Sequence, residues 1–176
     1  MAGIPGAGKS TALDTLEQGL RTTSASHGPP SGDLVILDSG SVRRWLCARL
    51  PRVSYPLLRP VVHVTHWARI LARALTEPRP LVVHETATRA LTRQALRALA
   101  QCGRRPAHLV WIDVPAPVAL RGQIDRCRLI RPRAFARHLQ RVEQEHPATA
   151  ARRTWDTVRV TDRDHAPAVI AACTAR

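Results

Sequence analysis

Gly3-Ile4-Pro5-Gly6-Ala7-Gly8-Lys9-Ser10 satisfies G-x-x-x-x-G-K-[ST] at every fixed position. The spacing has a chemical reason. A polyphosphate pressed against backbone needs amide N–H donors turned inward, and glycines permit this because they tolerate φ > 0 and carry no Cβ. A helix beginning near Lys9 then aims its unpaired amides and positive dipole end at the phosphates. Lys9 reaches the outer phosphates, and the Ser10 hydroxyl is placed for Mg²⁺. Of 27 Lys and Arg residues, Lys9 is the single lysine. A chain that writes every other cation as Arg keeps the compact ammonium for this position. Only Met1 and Ala2 precede the loop, where the motif expects a buried parallel strand. The expectation is a chain start placed too late, because a sheet without its central strand leaves a hole in the core.

Outward from the loop, apolar Leu13, Leu16 and Leu20 recur at helical spacing through about Arg21. Residues 22–32 are rich in turn formers. Asp33–Asp38 is an apolar run of strand length, and Ser39 or Ser41 caps a helix from Val42 to Leu50, stopped by Pro51. A Pro-rich connection over 51–59 leads to a helix over 60–75, in which His63 and His66 share a face beside Trp67. With no third ligand at a recognisable spacing, packed or solvated histidines are the better reading than a metal pair. Leu81–His84 is a strand ending at Glu85, followed by a helix to about Cys102 and a stop at Gly103. His108–Ile112 is a third strand, Pro115 or Pro117 opens a helix to about Cys127, and a cationic stretch (Arg126, Arg128, Arg131, Arg133) is broken by Pro132. A helix over 133–145, a strand over 157–160 and a helix over 167–173 complete the pattern. Strands alternating with helices indicate an α/β fold, a doubly wound parallel sheet flanked by helices, as a single domain over 1–176.

Such sheets bind ligands at the carboxyl ends of their strands. The loop, Asp38–Arg43, Glu85 and the Arg126–Arg133 segment all fall there. Phosphoryl transfer needs a phosphate cradle, Mg²⁺ ligands, neutralisation of the transferring group and a means of orienting the acceptor. Gly3, Pro5, Gly6, Ala7, Gly8, Lys9, Ser10 and Thr11 supply the cradle. Ser10 is the direct metal residue, and Asp38 or Glu85 can act through water. Arg43 or Arg44 can hold an anionic acceptor. The segment around 121–145 reads as a lid whose Arg126 and Arg131 close over ATP.

Composition sets the remaining bounds. No run of about 18 apolar residues and no signal segment is present. Cys47, Cys102, Cys127 and Cys173 are scattered without C-x-x-C, as expected of reduced thiols in a cytoplasmic protein. The net charge of +14 reads equally as a polyanionic partner, nucleic acid or phosphorylated substrate, and as Arg-biased composition in a chain also rich in Ala, Leu and Pro. Aromatics at 3% provide no stacking platform for single strands, which argues against a dedicated nucleic-acid-binding module.

With these pieces in order, the chain resembles the small P-loop kinases of the group containing polynucleotide 5′-kinases, zeta toxins and bacterial AAA family ATP-binding proteins. The matching stretches are GIPGAGKST (3–11), LVILDSGSVRR (34–44), LVVHETATRALTRQALRALA (81–100), with Arg93 on its helix, and HLVWIDVPAPVALRGQIDRCR (108–128). The resemblance implies a nucleotide-kinase-like P-loop NTPase fold and transfer of the γ-phosphate of ATP, with Mg²⁺, to a hydroxyl of a nucleotide, nucleic-acid end or other small molecule. It casts Lys9, Asp38, Arg43 and Arg126 as catalytic. Two departures stand out. The family's D-x-D-x-x-R turn places its acceptor base three residues before the Arg, and here that position is Gly40. The paired lid arginines, usually four apart, are five apart in Arg121 and Arg126, so Arg126 alone carries over. The alternatives are a nucleotide-binding regulatory protein without efficient transfer, and a basic nucleic-acid-binding protein.

Overall fold

The computed structural model describes residues 1–26, 34–127 and 129–175. In chain order they form α1 (Lys9–Ser26), β1 (Val35–Asp38), α2 (Ser39–Arg49), α3 (Tyr55–Thr76), β2 (Leu81–His84), α4 (Ala90–Cys102), β3 (His108–Ile112), α5 (Ala116–Ile124), α6 (Pro132–Gln144), α7 (Pro147–Ala151), β4 (Thr157–Thr161) and α8 (Ala166–Thr174). Residues 27–32 of the expected surface loop, Asp33 of the expected strand and Arg128 of the cationic stretch lie outside the described residues.

Several boundaries differ from expectation for local reasons. Helix α1 runs on to Ser26, because residues 22–26 contain neither Gly nor Pro to stop it. Helix α3 starts at Tyr55, so most of the expected connection is helical. Pro56 sits in its first turn, where a missing N–H costs nothing, and buried Leu58 and Val62 anchor the start despite Pro60. Asp38 is the N-cap of α2, one residue ahead of Ser39, and Ser41 Oγ instead donates to the Asp38 carbonyl at 2.6 Å. Pro132 opens α6 rather than interrupting it. The five-residue α7 had no periodic apolar signal to reveal it. No described helix is long and apolar enough to cross a membrane.

The strands do not join as one continuous sheet. β1 pairs with β2 in parallel, Val35 opposite Leu81 through Asp38 opposite His84. β3 pairs with β4 in parallel, His108 opposite Thr157 through Ile112 opposite Thr161. Residues 1 and 2 lie between the pairs. On one side the Met1 amine donates to Val83 O at 3.0 Å and Glu85 N–H donates to Met1 O at 3.3 Å. On the other, Ala2 N–H donates to Val110 O at 2.7 Å and Ile112 N–H donates to Ala2 O at 2.8 Å. The strand expected before the loop is thus represented by two residues, and the doubly wound sheet by two parallel pairs stitched at their carboxyl ends.

Helices cover both faces of this arrangement. Val82 and Val110 pack with Leu13 and Leu16 of α1 and Ile170 of α8. Leu109 and Trp111 point the other way, among Ala148 and Ala151 of α7, with Phe135 and Leu139 of α6 against them. The alternation is the period of two in a strand buried on both faces.

Below residues 1 and 2 the pairs remain apart. A cavity of about 150 Å³ lies there, lined by Met1, Val83, Leu96, Leu99, Leu109 and Cys173 among others. Backbone groups of a strand alternate in direction. Because Val83 and Val110 face residues 1 and 2, Leu81 and His108 face the cavity, and no strand pairs with them there among the described residues. The Met1 amine is buried at its upper end, and burial, then the nearby Lys9 charge, lowers it from 8.0 to about 6.

Candidate nucleotide site

The loop from Gly3 to Gly8 follows residues 1 and 2 directly and delivers Lys9 as the first residue of α1. Gly6 has φ +91° and Gly8 φ +92°, values that L side chains rarely adopt. At Gly6 the space is closed as well, since a Cβ there would lie 2.0 Å from Ala119 O of α5. Gln123 of α5 ties the loop to the chain beyond it: its Nε2 donates to Pro5 O at 3.1 Å and its Oε1 accepts from Ile130 N–H at 3.1 Å. Lys9 is 6% exposed, and its ammonium donates to Gly3 O at 2.8 Å and Ile4 O at 2.9 Å. Burial lowers its pKa from 10.5 to about 7; the charge of Glu85 opposes this and that of Arg126 adds to it. Ser10 is half-buried on the first turn, and Thr11 is exposed.

Around Lys9 the structure gathers several of the expected residues. Glu85, just past β2, and Arg126, in the turn after α5, both act on its charge. Glu85 accepts from the Thr86 N–H at 3.2 Å, which fixes its carboxylate at the strand end. Ser10 and Glu85 offer the hard oxygens that Mg²⁺ takes. Among the described residues no cluster of three or more His, Cys, Asp or Glu could hold a metal ion by itself. The donor set suits Mg²⁺ that arrives with phosphates and keeps several of its waters. Arg131 is exposed at the N-cap of α6.

A second group forms at the end of β1. His84 Nδ1 stands 2.8 Å from Asp38 Oδ1, at a slant rather than on the hydrogen-bond line. Although partial burial raises the Asp38 pKa, the His84 contact, the Gly40 amide and Arg44 outweigh it and hold the carboxyl at about 2. Gly40 is not an empty place. A Cβ there would meet Asp38 Oδ2 at 2.5 Å, so the Asp38 carboxylate already occupies the space beside residue 40. Arg43 lies over the Tyr55 ring, 5.5 Å to its centroid, and Arg44 is the arginine nearer the carboxylate. His66 is buried beneath this group with neither ring nitrogen hydrogen-bonded, and burial lowers it to about 4. His63 meets Trp67 edge-on at 6.3 Å. Arg93 is buried and donates to Ala87 O and Thr88 O, bracing the β2–α4 connection where Ala87 has φ 50°.

Two residues of the site, Gln123 and His84, escaped the sequence reading, as did Arg163, whose Nη2 lies 3.5 Å from Gly6 O of the loop. His84 carried a readable signal, being the last residue of a strand whose next residue was already a candidate. Arg163, two residues past β4, carried the same strand-end signal.

A Gly-rich loop that joins a parallel strand position to a helix bearing Lys9 and Ser10 defines a P-loop nucleotide-binding protein of the α/β class. The family comparison agrees with the geometry. The AAA domain family AAA_33 matches residues 1–161, and the chain belongs to this family. No curated protein matches the chain.

Proposed function

We propose that the protein is an ATP-dependent kinase that transfers the γ-phosphate to a hydroxyl of a nucleotide, a nucleic-acid end or another small molecule. The observation that carries the reading is the carboxylate of Asp38, held ionised at the carboxyl end of β1, on the sheet edge that also bears the phosphate loop. A nucleotide-hydrolysing switch needs only the loop, its metal and a positioned water; an acid beside the acceptor side suits an alcohol that must be oriented.

Each residue has a task in that reaction. The loop amides and Lys9 bind the β- and γ-phosphates. Ser10, with Glu85 acting through water, would hold Mg²⁺, which would supply neutralisation of phosphate charge. Asp38 accepts the hydrogen bond of the acceptor hydroxyl and aims its oxygen at γ-phosphorus. The new P–O bond forms as the bond to the β,γ-bridging oxygen breaks, ADP departs with that electron pair, and the hydroxyl proton leaves through Asp38 to water. Arg126, beside Lys9, meets the charge that develops on the transferring group. The segment from Arg126 through α6, including Arg131, acts as the lid. The position of the Asp38 carboxylate beside Gly40 supports transfer over a purely regulatory role.

The test incubates the full chain with γ-labelled ATP, Mg²⁺ and a panel of acceptors: nucleosides, nucleotides, oligonucleotides with 5′-hydroxyl ends, and nucleotide sugars. The expected result is label on one acceptor class, reduced at least about 100-fold in Lys9→Ala. ATP hydrolysed at one rate whatever acceptor is added would overturn the kinase reading.

A further inference from the structure

We propose that Arg163 is a second phosphate-binding cation of the nucleotide site, supplied by the loop after β4; this rests on the nucleotide reading of the Gly3–Ser10 loop.

The side chain of Arg163 lies across that loop. A Cβ on Gly8 would come 2.7 Å from Arg163 Nε, 2.8 Å from its Cγ and 3.0 Å from its Cδ. Its Nη2 is 3.5 Å from Gly6 O, a long contact, and would be 3.4 Å from a Cβ on Gly122 of α5. Three glycines therefore form the groove in which this one side chain rests.

Nothing anionic holds it there. Its Nε is buried without a hydrogen-bond partner, and no ion pair engages the guanidinium among the described residues. The neighbouring carboxylate of Asp162 is turned onto its own loop: it accepts from the Asp164 and His165 amides at 2.9 Å and lies 2.8 Å from the His165 ring nitrogen. That turn fixes the backbone on either side of Arg163 and leaves its charge uncompensated. A planar cation lying on Gly6 and Gly8, with Lys9 on the inner side of the same loop, is matched by an oxyanion of the polyphosphate, to which guanidinium bonds in pairs. A base contact would not need the cation to lie on the residues whose amides face phosphate.

The experiment titrates the full chain, by calorimetry with Mg²⁺ present, with ATP and separately with inorganic tripolyphosphate. It compares wild type, Arg163→Met, Arg163→Lys and Lys9→Ala. Arg163→Met keeps the stem and deletes the charge; the expected result is a loss of about 10–100-fold in affinity for both ligands, with Arg163→Lys in between. Tripolyphosphate bound as tightly by Arg163→Met as by wild type overturns the proposal, whatever happens to ATP. Should Lys9→Ala lose ATP while Arg163→Met does not, the Arg163 role fails and the nucleotide site stands. Should wild type and Lys9→Ala behave alike, the nucleotide reading itself fails. If Arg163→Met does not fold, phenylglyoxal labelling of wild type decides: tripolyphosphate is expected to protect Arg163, and unchanged labelling overturns the proposal.

Discussion

Lys9 donates to two loop carbonyls while sitting almost fully buried, and the cost of that burial appears in its proton affinity. With a pKa of about 7 in the free protein, it is largely neutral at pH 8.5. Phosphates favour the ammonium, so nucleotide binding above pH 7 must take up a proton. The affinity for MgATP is expected to fall by up to about tenfold per pH unit above 7. Calorimetry at pH 8 in buffers of different ionisation enthalpy should show uptake of close to one proton, lost in Lys9→Ala. The other residue-scale expectation concerns Gly40. By family pattern it stands at the position of the acceptor base, a pattern by which an acid placed there would raise transfer. The geometry reverses that expectation, because any Cβ at 40 displaces the Asp38 carboxylate. Gly40→Ala and Gly40→Asp are both expected to lower transfer by at least about tenfold with the KM for ATP unchanged, and a gain in Gly40→Asp would refute this role for Asp38.

At the scale of elements, the helices follow from apolar spacing and the strands from short apolar runs, so their order was legible. Their ends were less so. Pro56 and Pro60 suggested a connection, yet α3 begins at Tyr55, since prolines near a helix start disturb few bonds and the buried Leu58 and Val62 outweigh them. What spacing cannot supply is pairing. Among the described residues, 1 and 2 alone join β2 to β3, and the apolar cavity beside them presents strand edges on both walls. An extension of five alternating Val and Thr residues fused ahead of Met1 turns the buried amine into a peptide N–H and pairs both edges. It is expected to raise Tm by about 5–10 °C, the equivalent of roughly 2–3 kcal/mol, whereas a Gly-Ser extension of equal length should not. Equal effects of the two would show that the cavity does not accept a strand.

For the whole molecule, the charged groups that folding perturbs are mostly cations buried away from water. The Met1 amine falls from 8.0 to about 6, Lys9 from 10.5 to about 7, and His66 and His138 from 6.5 to about 4. In each case the largest cause is burial, and in each window the unfolded chain binds more protons than the folded one. Stability therefore rises with pH through each of these four windows, while the exposed His165, raised by its Asp162 partner, runs the other way. Asp38, lowered from 3.8 to about 2, adds loss only at strongly acid pH. Thermal unfolding of the free protein is expected to move up by about 5–10 °C between pH 5 and pH 8. His66→Leu should flatten the part of the curve below pH 6.5. A curve that is flat or falls with pH would contradict these burials.

The phosphate loop was fully readable because its chemistry is contiguous: eight neighbouring residues carry the glycines, the ammonium and the hydroxyl, and no distant contact is needed to recognise them. The alternation of strands and helices was readable because burial imposes a period on each segment separately. The tertiary structure alone decided which strand ends meet. It set His84 against Asp38, filled the space at Gly40 with a carboxylate from two residues earlier, laid Arg163 over Gly6 and Gly8, and left two residues to bridge the halves of the sheet. These juxtapositions depend on distances between segments up to 157 residues apart in the chain, and no local pattern encodes them.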